Sequence, residues 1–409
     1  MKIEKVAVIG AGIMGSGIAN AVFKRGFEVR LFDPEKNALA AAVAGIQKQA
    51  RRGMDPAKIR QAASLSDAVQ GADLVIEAIV EDIAAKQKLF SELEICASRH
   101  ALFASNTSSL PISEIARATK RADRTLGTHF FNPAVIMRLV ELITLPGTST
   151  DASASVEEFL KAIGKVPVRV KESPGFVVNR ILLPLVNEAF YLLEEHRKKT
   201  GLTLIEAAND IDSAVEKENL LLLGPFNLVD LIGIDTSYKV ARIIYDGFGQ
   251  SPRYLPAPLL KQCADQGRFG RKAGRGVYAY GNRLIDPDQN PRLDEDQKPV
   301  LRREQPSFRA LDLAAAMVNE GFRILEEGIV ASYQDVETCI ELGARWPRGP
   351  FRLARDIGLK TIVAALQDRA RTCGDARRYE PSRLLISPSP EIERFLQDSH
   401  ESYNNPTKG

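Results

Sequence analysis

The chain has 409 residues, 44% of them hydrophobic and 26% charged, and a formal net charge of +3. That length exceeds one typical core, so two or three domains are expected. So small a charge gives no argument for nucleic acid or a membrane surface as partner, and no apolar run approaches the roughly 18 residues of a membrane span.

Cys96, Cys263, Cys339 and Cys373 lie far apart without a C-x-x-C pair, which suggests neither a disulfide framework nor a metal site. The sequence enters its first strand without a basic-apolar-small leader, and a cytoplasmic enzyme with reduced thiols is the expectation.

The most informative stretch comes first. Val6, Val8 and Ile9 belong to an apolar, β-branched run that reads as a buried strand. It breaks at Gly10-Ala-Gly12-Ile13-Met14-Gly15, after which small residues open a helix through Ala21. A second strand, Val29–Phe32, ends in Asp33. Gly10 permits the tight turn, Gly12 lets a pyrophosphate approach the backbone, and Gly15 packs the helix on the strand, so that the helix N-terminus faces the phosphates. Asp33, about 20 residues on, can accept both hydroxyls of an adenosine ribose and would repel a 2′-phosphate. The stretch predicts an NAD-binding Rossmann unit.

The alternation continues with a helix over Pro34–Arg52, a strand over Asp73–Ile79, a helix over Asp82–Ser98 and a strand over Ala101–Ala104. Then come a helix over Ile112–Thr119 and strands over Thr125–Phe131, Leu139–Leu145 and Val166–Val170. This is the pattern of an α/β, doubly wound, mostly parallel sheet. From Ser173 the pattern turns helical, with Val186, Ala189, Phe190 and Leu193 on one face. A Gly-rich basic loop (267–280) and a polar, Pro-containing stretch follow. The helical pattern then repeats. Val186–Glu195 is echoed by Val318–Glu327, and Gly224-Pro-Phe by Gly349-Pro-Phe, in the same order. The expected domains are a Rossmann domain over 1–172, a helical domain over 173–283, a linker over 284–306 and a second helical copy with a polar tail over 307–409.

Oxidising an alcohol with a nicotinamide needs a base, and histidine suits that role. Of four histidines, His100 follows a helix in a polar stretch, His196 lies among charges on a helix, and His400 is in the tail. His129 ends the apolar strand TLGTHFFNP, on the side where strand C-termini face a ligand cleft. Glu141, twelve residues on, is a carboxylate inside the apolar LVELITL and needs a partner if buried. If the two strands are neighbours, Glu141 holds the imidazole in one tautomer; otherwise a core histidine and an edge glutamate remain. Ala104–Ser109 either caps the next helix or meets a substrate oxygen. Glu81 and Lys86 read as surface charge or as contacts to the nicotinamide-side ribose. Lys48, Arg51 and Arg52 read as charge at a helix C-terminus or as contacts to phosphates.

Taken together, GAGIMGSGIA, EAIVED, ASNTSSL, THFFNP, LVEL, ESPGFVVNR, GPFNLVDLIGID and GRKAGRGVY resemble the L-3-hydroxyacyl-coenzyme A dehydrogenase family, in family order to about residue 280. The resemblance implies NAD-dependent oxidation of an acyl-CoA thioester substrate. It implies His129 as general base, Glu141 as its orienting partner, and Ser108 and Asn179 as hydrogen-bond donors to the reacting oxygen. It also implies that Asp33, Glu81 and Lys86 touch NAD. The duplicated helical domain suggests an internal pseudo-dimer, with the whole chain a monomer or dimer. Two rivals stand beside this reading: a dehydrogenase of a free 3-hydroxy acid or sugar acid, and a non-catalytic NAD-binding protein.

Overall fold

The structure is a computed structural model that describes residues 1–50, 54–280 and 306–397. The expected linker and Arg51, Arg52 and His400 therefore lie outside the described residues, Pro306 excepted. By contact the described chain divides into two compact units. One holds Met1–Asn179 with Ile329–Ala331 and Thr338–Ala344; the other holds what is described of Arg180–Gly328, Ser332–Glu337 and Arg345 onwards.

The first unit is an eight-stranded sheet flanked by helices. In chain order it runs β1 (Lys5–Ile9), α1 (Ile13–Phe23), β2 (Glu28–Phe32), α2 (Lys36–Lys48), β3 (Ile59–Gln61), α3 (Leu65–Val69), β4 (Leu74–Glu77) and α4 (Ile83–Cys96). It continues with β5 (Leu102–Ser105), α5 (Ile112–Ala116), β6 (Thr125–Phe130), β7 (Leu139–Thr144), α6 (Thr150–Ala162) and β8 (Val166–Lys171). The strand order is β3-β2-β1-β4-β5-β6-β7-β8. Every pairing is parallel except β6 with β7. The order reverses at β1, which opens a crevice beyond its C-terminal end. β1, β4 and β5 are almost wholly buried because helices cover both faces, which explains their continuous apolar runs. Local chemistry starts the helices: the Asp82 carboxylate accepts from the Ala85 amide at 2.8 Å at the head of α4, and Ser149 caps α6.

The second unit is helical: α7 (Val178–Thr200, beginning in the first unit), α8 (Leu204–Lys217), α9 (Pro225–Ile232), α10 (Ile234–Gly247) and α11 (Pro258–Asp265). After the undescribed stretch come α12 (Leu311–Glu326), α13 (Tyr333–Cys339), α14 (Pro350–Ile357), α15 (Leu359–Thr372), α16 (Arg383–Ile386) and α17 (Pro390–Gln397). The echoed motifs take the same shape: α9 and α14 each have 8 residues with proline in the first turn, and α10 and α15 each have 14. Gly233 and Gly358 join each pair at φ of 107° and 89°, a region where only glycine is comfortable.

The echoed residues also meet one another crosswise. Glu188 accepts from Tyr379 at 2.7 Å and from Arg378 at 3.0 Å. Its counterpart Glu320 accepts from Tyr254 at 2.7 Å and faces Arg253 at 4.0 Å. Further along the same two helices, Glu195 takes Arg369 and Glu327 takes Arg180. In the Glu188 and Glu320 sets residue i of one copy meets residue j of the other, and j meets i, which is the signature of an isologous contact; Arg369 and Arg180 are not echoes of each other.

Candidate active site

The β1–α1 turn has the geometry a pyrophosphate requires. A Cβ on Gly10 would stand 2.4 Å from the Ala78 carbonyl oxygen, and one on Gly15 would stand 1.9 Å from the Gly10 oxygen, so neither position admits a side chain. A Cβ on Gly12 would meet nothing within 4 Å, leaving open space over the start of α1. Ile13 beside it is 61% exposed, and Met14 is half-buried against the sheet core. Asp33 closes the turn, with one oxygen accepting from the Ala11 amide at 2.7 Å and the other from the Glu35 amide at 2.9 Å. Each oxygen keeps a lone pair for a further donor such as a ribose hydroxyl. These residues fit NAD, and the carboxylate opposes a phosphorylated ribose.

β6 and β7 bring the expected pair together. In their antiparallel register His129 stands directly opposite Glu141, a distance suited to side-chain contact. Imidazole Nδ1 lies 2.6 Å from Glu141 Oε2. Since an ionised carboxylate only accepts, Nδ1 carries the proton and Nε2 is left as the basic nitrogen. Glu141 is fully buried, and its other oxygen accepts from the amides of both Val177 and Val178 at 3.0 Å. Those two amides converge because Gly175 and Phe176 adopt φ of 77° and 51°, making a small anion-binding nest. Phe176 is a non-glycine residue in the left-handed region, a strain on the order of 1–3 kcal/mol. Phe131 lies against the imidazole with ring centroids 4.4 Å apart, and Phe176 lies at 5.8 Å.

The other half of the site is a carboxylate-centred network. Glu81 accepts from Thr107 Oγ1 at 2.6 Å and from the Ser108 amide at 3.0 Å, with the Ser108 and Ser109 hydroxyls each at 3.3 Å. Burial alone would raise the Glu81 carboxyl, but the Lys86 charge and these donors hold it below its ordinary range. Lys86 Nζ lies 2.6 Å from Glu77 and 3.4 Å from Glu81. Reading Lys86 as surface charge is therefore wrong: it is 1% exposed between two carboxylates. The capping alternative for Ala104–Ser109 also fails, since the N-cap of α5 is Pro111, which offers no side-chain cap, and the hydroxyls turn to Glu81 instead. Asn179 Nδ2 donates to the Ser108 carbonyl at 3.1 Å. Val177-Val178-Asn179 thus joins the two halves of the site, touching Glu141 with two amides and Ser108 with a side chain.

Sequence reasoning missed several of these parts. Asn106 Oδ1 accepts from the Phe130 amide at 2.8 Å and ties β6 to the hydroxyl-rich loop. Neither the amide nest nor the aromatic wall has a sequence signature, although both fall in the quoted THFFNP and ESPGFVVNR segments. His196, read as a histidine among charges, is buried and lies 2.7 Å from Asp210, which also accepts from the Ser307 and Phe308 amides. That carboxylate is occupied in anchoring returning chain. Lys48 is exposed at the end of α2.

Known proteins match both parts of the chain. Residues 5–173 match the 3-hydroxyacyl-CoA dehydrogenase NAD-binding domain, and residues 175–280 and 308–388 match the C-terminal domain of the same family. A probable 3-hydroxybutyryl-CoA dehydrogenase of Bacillus subtilis is 39% identical over 291 residues, 68% of this chain and 98% of its own. The human mitochondrial hydroxyacyl-coenzyme A dehydrogenase is 38% identical over 299 residues, 68% of this chain and 91% of its own. The crystal structure of a 3-hydroxybutyryl-CoA dehydrogenase from Escherichia coli K12 superposes with a TM-score of 0.82 at 27% identity, covering 97% of this chain and 100% of that one. The chain belongs to the 3-hydroxyacyl-CoA dehydrogenase family, the NAD-dependent oxidoreductases of 3-hydroxyacyl-CoA thioesters.

Proposed function

We propose that His129 is the general base that takes the hydroxyl proton of an L-3-hydroxyacyl-CoA as it becomes the 3-ketoacyl-CoA, with Glu141 as its positioning partner. The observation that carries this is the 2.6 Å contact between His129 Nδ1 and a buried carboxylate whose second oxygen holds two amides. Glu141 fixes the tautomer that leaves Nε2 basic, and its charge stabilises the imidazolium once the proton arrives. When bound, NAD supplies the hydride acceptor, and Gly10, Gly12, Ile13, Met14, Gly15, Asp33, Glu81 and Lys86 are the residues that would hold it. Ser108 and Asn179, joined at 3.1 Å, would donate to the substrate oxygen. In reduction the same imidazolium returns its proton to that oxygen.

A cavity of about 460 Å³ in the sheet unit, lined in part by Lys24, Arg25, Met54, Arg138 and Lys165, supports a thioester over a free acid. Burial, aided by Arg25, pushes the Lys165 ammonium down to about 8, and its Nζ donates to the Ala134 and Met137 carbonyls, so Lys24, Arg25 and Arg138 are the cations that would meet an anion there. We assign this cavity to the coenzyme A phosphates.

Acetoacetyl-CoA and free acetoacetate, compared at equal concentration by NADH oxidation, test the reading. Turnover is expected with the thioester only, and turnover with the free acid alone would install the first rival. His129→Gln should keep NAD binding and lose roughly 2–4 orders of magnitude in kcat; near-normal turnover would overturn the base assignment. Arg138→Glu should raise the thioester KM by roughly tenfold or more, the scale of one lost charge-assisted contact, without changing the KM for NADH. An unchanged thioester KM would detach the cavity from the substrate.

The crosswise contacts of the helical unit and the double match to one C-terminal domain support the internal pseudo-dimer reading. None of the four cysteines forms a disulfide, which fits the reducing cytoplasm, where we place the enzyme. Among the described residues no helix is long and apolar enough to cross a membrane.

A further inference from the structure

Two short pieces of the second helical copy, Ile329–Ala331 and Thr338–Ala344, belong by contact to the sheet unit rather than to their own copy. The first is pinned by a hydrogen bond from the Lys171 amide, at the end of β8, to the Ile329 carbonyl at 2.8 Å. The second continues α13 as a π-helical turn, Ile340–Ala344, a rare geometry that recurs at functional sites.

Within that turn Gly343 is wedged against three side chains. A Cβ there would lie 2.6 Å from Leu139 Cδ2, 2.9 Å from Val178 Cγ2 and 3.4 Å from Phe131 Cζ. The backbone of Gly343 lies outside the left-handed region, so its requirement is one of space. Each of the three neighbours adjoins the reacting pair. Leu139 precedes Glu141 by two residues and shares its face of β7. The Val178 amide is one of the two that hold Glu141 Oε1. Phe131 is the ring against the His129 imidazole.

We propose that Thr338–Ala344 of the second copy is a positioning element for the His129–Glu141 pair, with Gly343 as the positioning residue. It acts by fixing the wall on which the strand, the amide nest and the aromatic ring all rest. The inference depends on His129 being the base. It also gives the second copy a role in the reaction besides that of internal partner.

The test is Gly343→Ala in the full-length enzyme, beside Gly321→Ala. Gly321 sits in α12 of the same copy, where a Cβ would meet Pro350 Cβ at 2.4 Å, and so supplies comparable crowding away from the dyad. Gly343→Ala should lower kcat by roughly 10- to 100-fold, as expected when a reacting group is misplaced by a fraction of an ångström to an ångström. The KM for NAD should stay unchanged and the acid limb of the pH–rate profile for oxidation, where the base becomes protonated, should move. Adding Leu139→Val, which withdraws the crowded methyl, should restore part of kcat. Gly321→Ala should lower the Tm while leaving kcat and the pH profile in place. Gly343→Ala with wild-type kcat and pH profile, or a loss matched by Gly321→Ala, would overturn the proposal. His129→Gln, run alongside, separates the two levels. If it retains turnover, the base assignment itself has failed; if it is inactive while Gly343→Ala is normal, only the present inference has.

Discussion

The two helical copies share a scaffold and differ in the charges they set around it. In each, a carboxylate twelve residues ahead of a Gly-Pro-Phe turn accepts from the phenylalanine amide: Asp212 from Phe226 at 2.9 Å, and Glu337 from Phe351 at 2.8 Å. Around that common device the first copy is acidic and the second basic. Asn227 and Asp230 of the first correspond to Arg352 and Arg355 of the second. Asp230 accepts from the Val277 and Tyr278 amides at 2.9 Å and from the Tyr280 hydroxyl at 3.0 Å, which folds the Gly-rich loop back onto α9. A Cβ on Gly276 would stand 2.0 Å from the Asp230 carboxylate, so the glycines of that loop serve close approach. Arg355 instead lies over the Phe395 ring of α17, 5.0 Å from its centroid. The first copy keeps its long α8 intact, whereas the second divides the equivalent stretch into α13 and the π-helical turn that joins the sheet unit. A duplicated domain thus retains the turns that define its fold and changes the charges beside those turns, which define what it grips.

The crosswise contacts offer the largest break in this comparison. Arg180 is fully buried and donates to Glu320 at 2.7 Å and to Glu327 at 2.7 and 2.8 Å. Its analogue in role, Arg369, bonds Glu195 at 2.6 Å and Glu188 at 3.2 Å, but Glu188 also keeps the guanidinium of Arg378. Removing Arg180 leaves Glu320 with Tyr254 and a distant Arg253; removing Arg369 leaves Glu188 still paired. Arg180→Met should therefore cost about 3–5 kcal/mol, the scale for orphaning a buried charge. Arg369→Met should cost about 1.5–3 kcal/mol, the scale for lost charge-assisted bonds. Urea unfolding of the two variants measures both. Equal losses would mean that the two halves of the contact are energetically alike, and a reversed order would mean that Arg378 does not support Glu188.

The sequence displayed the large features of this molecule because they rest on periodicity and on glycine. The Rossmann turn, the strands from β4 to β8 and the apolar face of α7 follow from apolar spacing, and Val186, Ala189, Phe190 and Leu193 are all buried as that spacing requires. The smaller elements were not legible: β3 has three residues and α3 has five, too few to show a period. The partnership of His129 with Glu141 could be posed but not decided, since spacing along the chain does not say that β6 and β7 run antiparallel. Lys86 illustrates the opposite failure. A lysine on a helix after a strand reads as solvated, and only the fold reveals the carboxylate of Glu77 opposite it. The parts supplied by backbone, such as the amides of Val177 and Val178, carry no side-chain signal at all.

The buried acid of the first copy sharpens the comparison with a smaller effect. Burial pushes the Asp212 carboxyl from its ordinary 3.8 up to about 7, against the pull of its donors: the Phe226 and Asn227 amides and the Tyr278 hydroxyl. In the unfolded chain that proton is lost near pH 4. Between about pH 4 and pH 7 the folded protein therefore binds a proton that the unfolded chain has released, and stability falls as pH rises through that window. From about pH 5 to about pH 7 the fall is roughly 2 kcal/mol, since one bound proton is worth about 1.4 kcal/mol for every tenfold change in proton concentration and the carboxyl is half ionised at the upper end. Asp212→Asn cannot titrate, so it should unfold more easily at low pH yet lose this part of the slope. The check is the difference between wild-type and variant urea stabilities at several pH values, which cancels every other titrating group the two proteins share. Parallel curves would show that Asp212 is ionised in the fold, with its four neutral donors sufficient to hold the charge. Glu337 differs from Asp212 in lying 3.5 Å from a guanidinium, that of Arg352; if Glu337→Gln removes as much slope as Asp212→Asn, that cation does not distinguish the two acids.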